Sequence, residues 1–279
     1  MSEARFNAPG AVLTANMEAG VKKSQLPLGK MVLLGIMAGA FIALGGATSS
    51  TAVHSISDVG LARTLAGCIF PVGLMMIVIV GGELFTGDCL MVMGVMDGRF
   101  SVGKCVRTLC IVYLSNLVGA VLIAALVYFS GNLDYTGGLL GAYTIKVAVG
   151  KAAITPVKGI ASGILCNILV CIAVLMATAS TDIAGKIWGI FFPILAFITG
   201  GFEHCVANMF YIPAGIMAAA NPAYAAKAQE VYGITAEQLA SLNLGGLLSN
   251  LIPVTIGNIL GGMLFVGVPF YLTQRGAKK

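Results

Sequence analysis

Two glycine-containing stretches hold most of the ionisable side chains found inside the apolar part of this sequence. They read GGELFTGD at residues 81–88 and GGFEHCVAN at residues 200–208. His204, one of only two histidines, lies in the second stretch. An imidazole there can donate a hydrogen bond to an anion or accept and return a proton. The alternative is a buried histidine satisfied by backbone groups. Because ionisable groups inside apolar segments are costly and usually functional, we expect His204 to lie on a pathway.

Two further polar residues are candidates to act with His204. Thr86 sits at the corresponding place in the first stretch, and we expect its hydroxyl to meet the imidazole across a pseudo-twofold axis. Asn167 stands within a long apolar segment. Its amide either donates to the anion on the same pathway or forms a hydrogen bond between helices. Together the three residues predict a polar zone at the middle of the pathway, which we call the waist.

The glutamates of the two stretches, Glu83 and Glu203, have a different predicted role. Each precedes a point where a helix would restart, and the first amides of a helix lack partners within it. We expect the two carboxylates to accept hydrogen bonds from these amides. A carboxylate placed directly in an anion path would repel the anion. We therefore expect both glutamates to lie behind the breaks as structural groups, together with Gly87, Gly201 and Asn208.

The elements that position these residues must be membrane helices. The chain has 279 residues, of which 58% are hydrophobic and 10% charged, and its mean hydropathy is +0.96. Soluble chains carry roughly 25% charged residues, so most of this surface faces lipid. The net charge of +5 comes without a basic run interleaved with aromatics, which argues against nucleic acid as a partner.

Six charge-poor segments are long enough to cross a bilayer, near residues 30–52, 66–96, 107–130, 158–180, 187–220 and 245–272. The second would be about 45 Å long as one straight helix, which exceeds the ~30 Å hydrocarbon core. The second and fifth spans must therefore break, and each does so at its glycine pair. Irregular backbone at this depth is tolerated only where protein buries it or it lines a cavity.

The two halves of the chain are two versions of one three-span unit. Glu83 and Glu203 occupy the same place in the two breaks. Asn116 and Asn258 occupy the same place in the third and sixth spans. With three spans per unit, the second copy enters from the opposite side. The sequence predicts an all-α membrane protein with six transmembrane helices and an inverted repeat whose second and fifth helices are broken.

Charge distribution sets the expected orientation and domains. Eleven of the sixteen Lys and Arg residues fall on the side of both termini, and five fall on the other side: Arg63, Lys146, Lys151, Lys158 and Lys227. Positive residues are retained in the cytoplasm. We expect a cytoplasmic segment at 1–29, a single pore domain at 30–272 and a cytoplasmic tail at 273–279.

Bulky apolar residues stand at depths where they could close a pore around the waist. An apolar ring gates by excluding water. Lipid-facing or core-filling positions are the alternative for each. The candidates are Phe70, Leu74, Leu84, Val170 and Phe197.

Three motifs, at residues 84–87, 201–210 and 250–258, closely resemble the formate/nitrite transporter family. The resemblance extends over nearly the whole chain. It implies an aquaporin-like protomer in a homopentamer, each protomer with its own pore, and a small monovalent anion as substrate: formate, nitrite, hydrosulfide, acetate or lactate. We also expect a location in the cell inner membrane and no cofactor or metal. Formate ranks first because the match around His204 and in the sixth span is close. Nitrite and hydrosulfide are competitors, since the Thr86-Gly87-Asp88 sequence departs from some relatives.

The same resemblance implies residue roles. His204 and Thr86 look like the family's central pair, Asn167 like its pore asparagine, and Lys151 like a lysine near the outer vestibule. The constriction residues by motif position are Phe70, Leu74, Leu84 and Phe85. We expect Lys151 to draw in the anion, and a proton from water or His204 to neutralise it before the constriction.

Two rival functions are weaker. A water or glycerol channel would carry an Asn-Pro-Ala triplet at each break, whereas the one triplet here, at 221–223, follows the fifth span. A membrane thiol oxidoreductase would use Cys166 with Cys171 or Cys105 with Cys110. A spacing of five residues places two thiols on different faces of a helix, so an enzyme is not expected.

Overall fold

The computed structural model describes residues 6–276, which form helices joined by short connections. No β-strand occurs in that range, and the one β-bridge joins Phe6 to Ser180. The unbroken spans are spans 1, 3, 4 and 6, at Leu28–Val53, Val102–Phe129, Pro156–Ala179 and Leu244–Gln274. The broken spans are span 2, with parts 2a and 2b at Val59–Val80 and Phe85–Met96, and span 5, with parts 5a and 5b at Ile183–Gly200 and Cys205–Ala219.

Both predicted breaks are confirmed. Span 2a ends at Val80 and span 2b begins at Phe85, while span 5a ends at Gly200 and span 5b begins at Cys205. The chain turns at Gly81, with φ of 112°, and at Gly201, with φ of 70°. Side chains other than glycine rarely adopt these values, so the glycine pairs end the first half of each span.

The predicted bounds differ most at the start of span 2. Its helix begins at Val59, seven residues before the predicted start at 66. The charge of Arg63 interrupts the apolar pattern there. A helix carries an arginine near its end when the guanidinium reaches a polar region, and Arg63 does so beside the second break.

The inverted repeat is also confirmed, and close helix pairs hold each half together. Span 1 packs on span 3, and span 4 packs on span 6. A Cβ added at Gly39 would overlap the backbone of Asn116, and one at Gly257 would overlap the carbonyl of Ile160. Small residues therefore allow backbones to touch, as the glycine spacing predicts.

Within residues 6–276, four α-helices outside the spans have no counterpart among the sequence predictions. The N-terminal helix, Pro9–Ser24, buries Val12, Leu13 and Met17, and its last turn carries Lys23. The connector helix, Tyr135–Ala152, packs on span 5b. Two short helices, Pro222–Tyr232 and Ala236–Ala240, precede span 6. Residues 1–5 and 277–279 of the two predicted cytoplasmic tails lie outside the described residues.

Candidate functional site

Three cavities follow one another through the centre of the helix bundle. The Lys151 vestibule, about 260 Å³, is lined by Lys151, Arg63 and Glu203 among others. The Lys23 vestibule, about 410 Å³, is lined by Lys23, Glu83 and Asp88 among others. A central cavity of about 10 Å³ lies between them and has room for about one water molecule.

Shared lining residues connect the three cavities. Phe197 and His204 line both the Lys151 vestibule and the central cavity. Leu74 and Leu84 line both the central cavity and the Lys23 vestibule. The cavities are therefore neighbours in one path, which narrows at its middle.

The central cavity is almost entirely apolar. Its lining includes all five apolar residues predicted from depth, together with Ile42, Ile194 and His204: Phe70, Leu74, Leu84, Val170 and Phe197. The rings of Phe70 and Phe197 meet edge to face with centroids 5.6 Å apart. Ile42 and Ile194 were missed because a single isoleucine in an apolar span carries no distinguishing signal.

Phe85 lies elsewhere than its motif position implies. The ring is buried, but it packs edge to face against Tyr113 of span 3, with centroids 4.9 Å apart. It is absent from the lining of the central cavity. Phe85 is the first residue of span 2b, and its ring lies on the side of that helix that contacts span 3.

The hydroxyl of Thr86 meets His204 as expected, with Thr86 Oγ1 2.9 Å from His204 Nε2. The other ring nitrogen, Nδ1, accepts a hydrogen bond from the backbone N–H of Ala207 at 3.0 Å. A nitrogen that accepts cannot carry a proton, so the ring proton lies on Nε2 and is donated to Thr86. The hydroxyl hydrogen of Thr86 is then available to another acceptor.

Thr86 and His204 are not equivalent positions of the repeat, which corrects the sequence alignment. His204 is the last residue before span 5b, and the last residue before span 2b is Leu84. Thr86 is the second residue of its helix, so its register partner is Val206. The glutamates, one residue before these positions, remain equivalent.

Asn167 contacts backbone and lines none of the three cavities. Its amide nitrogen donates to the carbonyl of Asn258 at 2.6 Å and to the carbonyl of Thr86 at 3.2 Å. The same Thr86 carbonyl lies 3.5 Å from the Sγ of Cys171. Two roles were predicted for Asn167, a donor on the pathway or a hydrogen bond between helices. Its contacts are those of the second role.

Lys151 is paired with Glu203 at the edge of its vestibule. The Nζ donates to both carboxylate oxygens, at 3.0 and 3.2 Å. Glu203 also accepts from the amide of Asn208 at 2.6 Å, and Asn208 donates to Asn250 at 2.7 Å. The positive charge of Lys151 is therefore offset locally.

Lys23 holds two carboxylates on the opposite side. Its Nζ lies 2.5 Å from Glu83 and 2.7 Å from Asp88. Burial works against the charged form, but the carboxylates of Asp88 and Glu83 raise the pKa of Lys23 above its ordinary value. The second oxygen of Asp88, Oδ2, is buried and has no hydrogen-bond partner among the described residues. This pairing could not be predicted from the sequence, because 60 and 65 residues separate Lys23 from its two partners.

The glutamates do not take the freed amides as partners, contrary to the sequence expectation. Two asparagines do. Asn116 Oδ1 accepts from the N–H of Phe85 at 3.0 Å, and Asn258 Oδ1 accepts from the N–H of Cys205 at 2.9 Å. The repeat related these two asparagines in the sequence, but no contact was predicted for either. An asparagine in an apolar span at the same place in both halves of the repeat is the signal that could have predicted the contact.

Each asparagine also donates to two backbone carbonyls. Asn116 donates to Gly35 at 2.8 Å and Glu83 at 2.9 Å, while Asn258 donates to Gly163 at 2.8 Å and Glu203 at 3.0 Å. Each side chain thus joins three spans of its half. The two remaining predicted residues line the vestibules: Gly87 on the Lys23 side and Gly201 on the Lys151 side.

This fold and path define a multi-pass membrane protein of the transporter and channel class. The profile described as formate/nitrite transporter matches residues 10–272, and the chain belongs to that family. It is 38% identical to the "Probable formate transporter" of Methanothermobacter thermautotrophicus, over 96% of this chain and 97% of that one. It is 34% identical to "Formate channel FocA" of Escherichia coli strain K12, over 95% and 93% of the two chains.

A solved structure described as "Pentameric formate channel with formate bound" superposes with a TM-score of 0.77 at 33% identity, covering 88% of this chain and 97% of that one. A second, described as "FNT family ion channel", gives a TM-score of 0.80 at 28% identity, covering 95% and 99%. These likenesses confirm the six-span fold with its two broken helices.

Proposed function

We propose that this protein carries formate across the membrane along the path between the two vestibules. The observation that supports this most directly is the shared lining of the three cavities, with His204 as the polar group at the central one. Relatives described as formate channels or transporters favour formate. Nitrite and hydrosulfide are the alternatives within the same class.

The apolar centre favours movement of a neutral species. Burying an unpaired carboxylate costs far more than burying the protonated acid. Only His204 supplies a polar side chain to the central lining. A formate ion would therefore take up a proton before it passes Phe197, and formate and proton would move together.

Water in the vestibule is the better proton source of the two considered. For His204 to carry a second proton, Nδ1 would have to give up the hydrogen bond from Ala207. The neutral ring instead donates its Nε2–H to Thr86, which leaves the hydroxyl hydrogen of Thr86 as the donor for the substrate. His204 would then orient the Thr86 hydroxyl, while the proton comes from water in the vestibule.

The assembly and placement are part of the same proposal. The spans expose large apolar side chains along their length, among them Leu114, Leu122 and Phe129 of span 3. A homopentamer in the inner membrane would cover part of this surface and leave the rest to lipid, and one related structure is described as pentameric. Both termini would be cytoplasmic. Residues 30–272 would form the pore domain, although Lys23 of the N-terminal segment also lines the path.

We do not propose an enzyme. Of the four cysteines considered for thiol chemistry, Cys105, Cys166 and Cys171 are buried and Cys110 is exposed, and none forms a disulfide. Burial in apolar surroundings keeps a thiol protonated and unreactive. Thiol-blocking reagents should therefore leave formate flux intact unless they plug the path.

The test is stopped-flow flux in proteoliposomes, comparing formate, nitrite, hydrosulfide, water and glycerol at several pH values, with a pH dye inside. Formate should cross faster when its own side is acidified and should acidify the far compartment. His204→Phe should slow formate flux at every pH and keep its rise with acidity, because the variant loses the polar group of the central cavity and not the source of the proton. His54→Phe is the matched control, since the other histidine contacts Thr51 and Thr136 away from the path.

Two results would contradict the proposal. Formate current without proton movement at any pH would favour a simple anion channel. Formate flux at the wild-type rate in the His204→Phe protein would remove the role given to this residue.

A further inference from the structure

Arg63 is the cation of the Lys151 vestibule that has no carboxylate partner among residues 6–276. Two cations line this cavity, Lys151 and Arg63, together with one carboxylate, Glu203. Lys151 donates to both oxygens of Glu203. Within the described residues, Arg63 makes one hydrogen bond, from Nη1 to the carbonyl of Thr199, at a long 3.5 Å. The uncompensated positive charge of the vestibule therefore resides on Arg63.

The second break is shaped to hold this guanidinium. A Cβ added at Gly201 would overlap Nη1 of Arg63. Gly201 also has a φ of 70°, so a side chain is disfavoured there for two independent reasons. The guanidinium thus lies directly against the backbone that leads to Glu203 and His204. Its donors border the cavity through which an ion must reach the narrow centre.

Guanidinium chemistry selects among the anions considered. The planar fork of arginine donates two parallel hydrogen bonds to a group with two oxygens, such as a carboxylate. Formate and nitrite both present two oxygens in one plane. Hydrosulfide presents a single sulfur, to which the fork offers charge but no paired geometry. A lysine in the same place would attract all three anions as a point charge.

We propose that Arg63 is a specificity-determining residue that docks planar two-oxygen anions at the mouth of the path. This inference rests on the anion passage proposed above and names the substrate class that the vestibule favours. Docking occurs before the narrow centre, so it acts on the concentration at which flux half-saturates. The maximal flux is set further along, at the central cavity, and depends little on Arg63.

The test compares Arg63→Lys and Arg63→Gln with the wild type in proteoliposome flux of formate, nitrite and hydrosulfide. Arg63→Lys keeps the charge and loses the fork. It should raise the half-saturating concentration of formate and nitrite about fivefold and that of hydrosulfide less than about twofold. Arg63→Gln should raise all three. Lys158→Gln is the control, because this exposed lysine lies in the first turn of span 4, outside the vestibule lining.

Hydrosulfide flux in the Arg63→Lys protein shows that the variant is folded. The wild type gives a further check, since formate and nitrite should half-saturate at lower concentrations than hydrosulfide. Equal shifts for all three anions in Arg63→Lys, or no shift for formate, would overturn the role of Arg63 while leaving anion passage intact. A wild-type protein that carries none of the anions would overturn both proposals.

Discussion

The two breaks share one backbone arrangement and differ in the side chains that it presents to the path. In both, an asparagine from the last span of the half accepts the first free amide and donates to two carbonyls, with matching distances within about 0.1 Å. At the residue before the restarting helix, however, one half has Leu84 and the other has His204. Leu84 is part of the apolar wall, and His204 is the polar group.

This difference separates the task of breaking a helix from the task of lining a path. The asparagines supply the hydrogen bonds that the backbone at each break needs. The residue just before each restarting helix, Leu84 or His204, is therefore free to be apolar or polar. A leucine at that position would otherwise leave a buried amide without a partner. The repeat therefore supplies the shared backbone arrangement of the two breaks, and single side chains give the two halves different functions.

The vestibules differ in charge as well. Lys23, Glu83 and Asp88 give the Lys23 vestibule a formal charge of −1, which is one cation and two carboxylates. Arg63, Lys151 and Glu203 give the Lys151 vestibule a formal charge of +1, which is two cations and one carboxylate. Asp88 and Arg63 account for the difference, since the lysine and glutamate occur on both sides. An anion is thus attracted more strongly from the Lys151 side.

The largest expected effect tests whether the two asparagines are energetically equivalent. Asn116→Leu and Asn258→Leu each leave one amide and two carbonyls unpaired in the interior. Each buried unsatisfied group costs about 1–3 kcal/mol, so either variant should lose most of its folded protein. Thermal unfolding of the detergent-solubilised protein measures this loss.

The control for that comparison is Asn221→Leu, which removes one hydrogen bond to Ala223 at an exposed helix start. It should cost about 1 kcal/mol, as helix-capping residues generally do. If Asn116→Leu and Asn258→Leu unfolded at the same temperature as the control variant, the two asparagines would not stabilise the breaks. If only one of them unfolded, the two halves would differ in stability as well as in lining.

The spans, breaks and repeat were predictable from sequence because their causes are local. Apolar length gives the spans, and a glycine pair inside an overlong span gives the break. The pair of asparagines gave the repeat. Even the shift of Thr86 relative to His204 could have been found by counting from Glu83 and Glu203, which places Leu84 opposite His204.

Other features depend on long-range contacts that no local pattern reveals. Lys23 contacts Asp88 across 65 residues of sequence. Arg63 reaches the carbonyl of Thr199 across 136 residues. The N-terminal helix was missed because its few apolar residues, spaced for one buried face, do not raise the hydropathy of the segment. Hydropathy reports helices that face lipid on most sides and overlooks those that lie on the bundle.

A smaller effect is expected from removing the charge that sets the Lys23 vestibule apart. Asp88→Asn changes its formal charge from −1 to 0 and keeps a similar shape. Removing a negative charge near the path should raise the rate at which anions enter from that side by roughly twofold to tenfold at low salt. Membrane vesicles of both orientations measure the two directions separately.

The effect should decline as salt rises, because screening acts over ~8 Å at physiological ionic strength. Flux from the Lys151 side should change little. Asp182→Asn, an exposed helix-capping aspartate outside both vestibules, is the control. An equal gain in both directions would show that Asp88 acts on the shared centre and not on its own vestibule.

The smallest effect is expected from neutralising a whole ion pair on the Lys151 side. In Lys151→Gln alone, Glu203 stays buried without its cation, and breaking a buried pair in this way costs several kcal/mol, roughly 3–5. The vestibule also falls from +1 to 0, so anions should enter more slowly and the protein should melt earlier. The double variant, Lys151→Gln with Glu203→Gln, restores the charge of +1 through Arg63. Its glutamine amides can still bond to Asn208 and Asn250, which face Glu203 in the wild type. We therefore expect the double variant to differ from the wild type by less than about twofold in the rate of anion uptake at low salt. Stopped-flow uptake at low and high salt compares the single and double variants directly. If the double variant were as slow as the single one, Lys151 itself would attract the anion, and its pairing with Glu203 would not offset its charge.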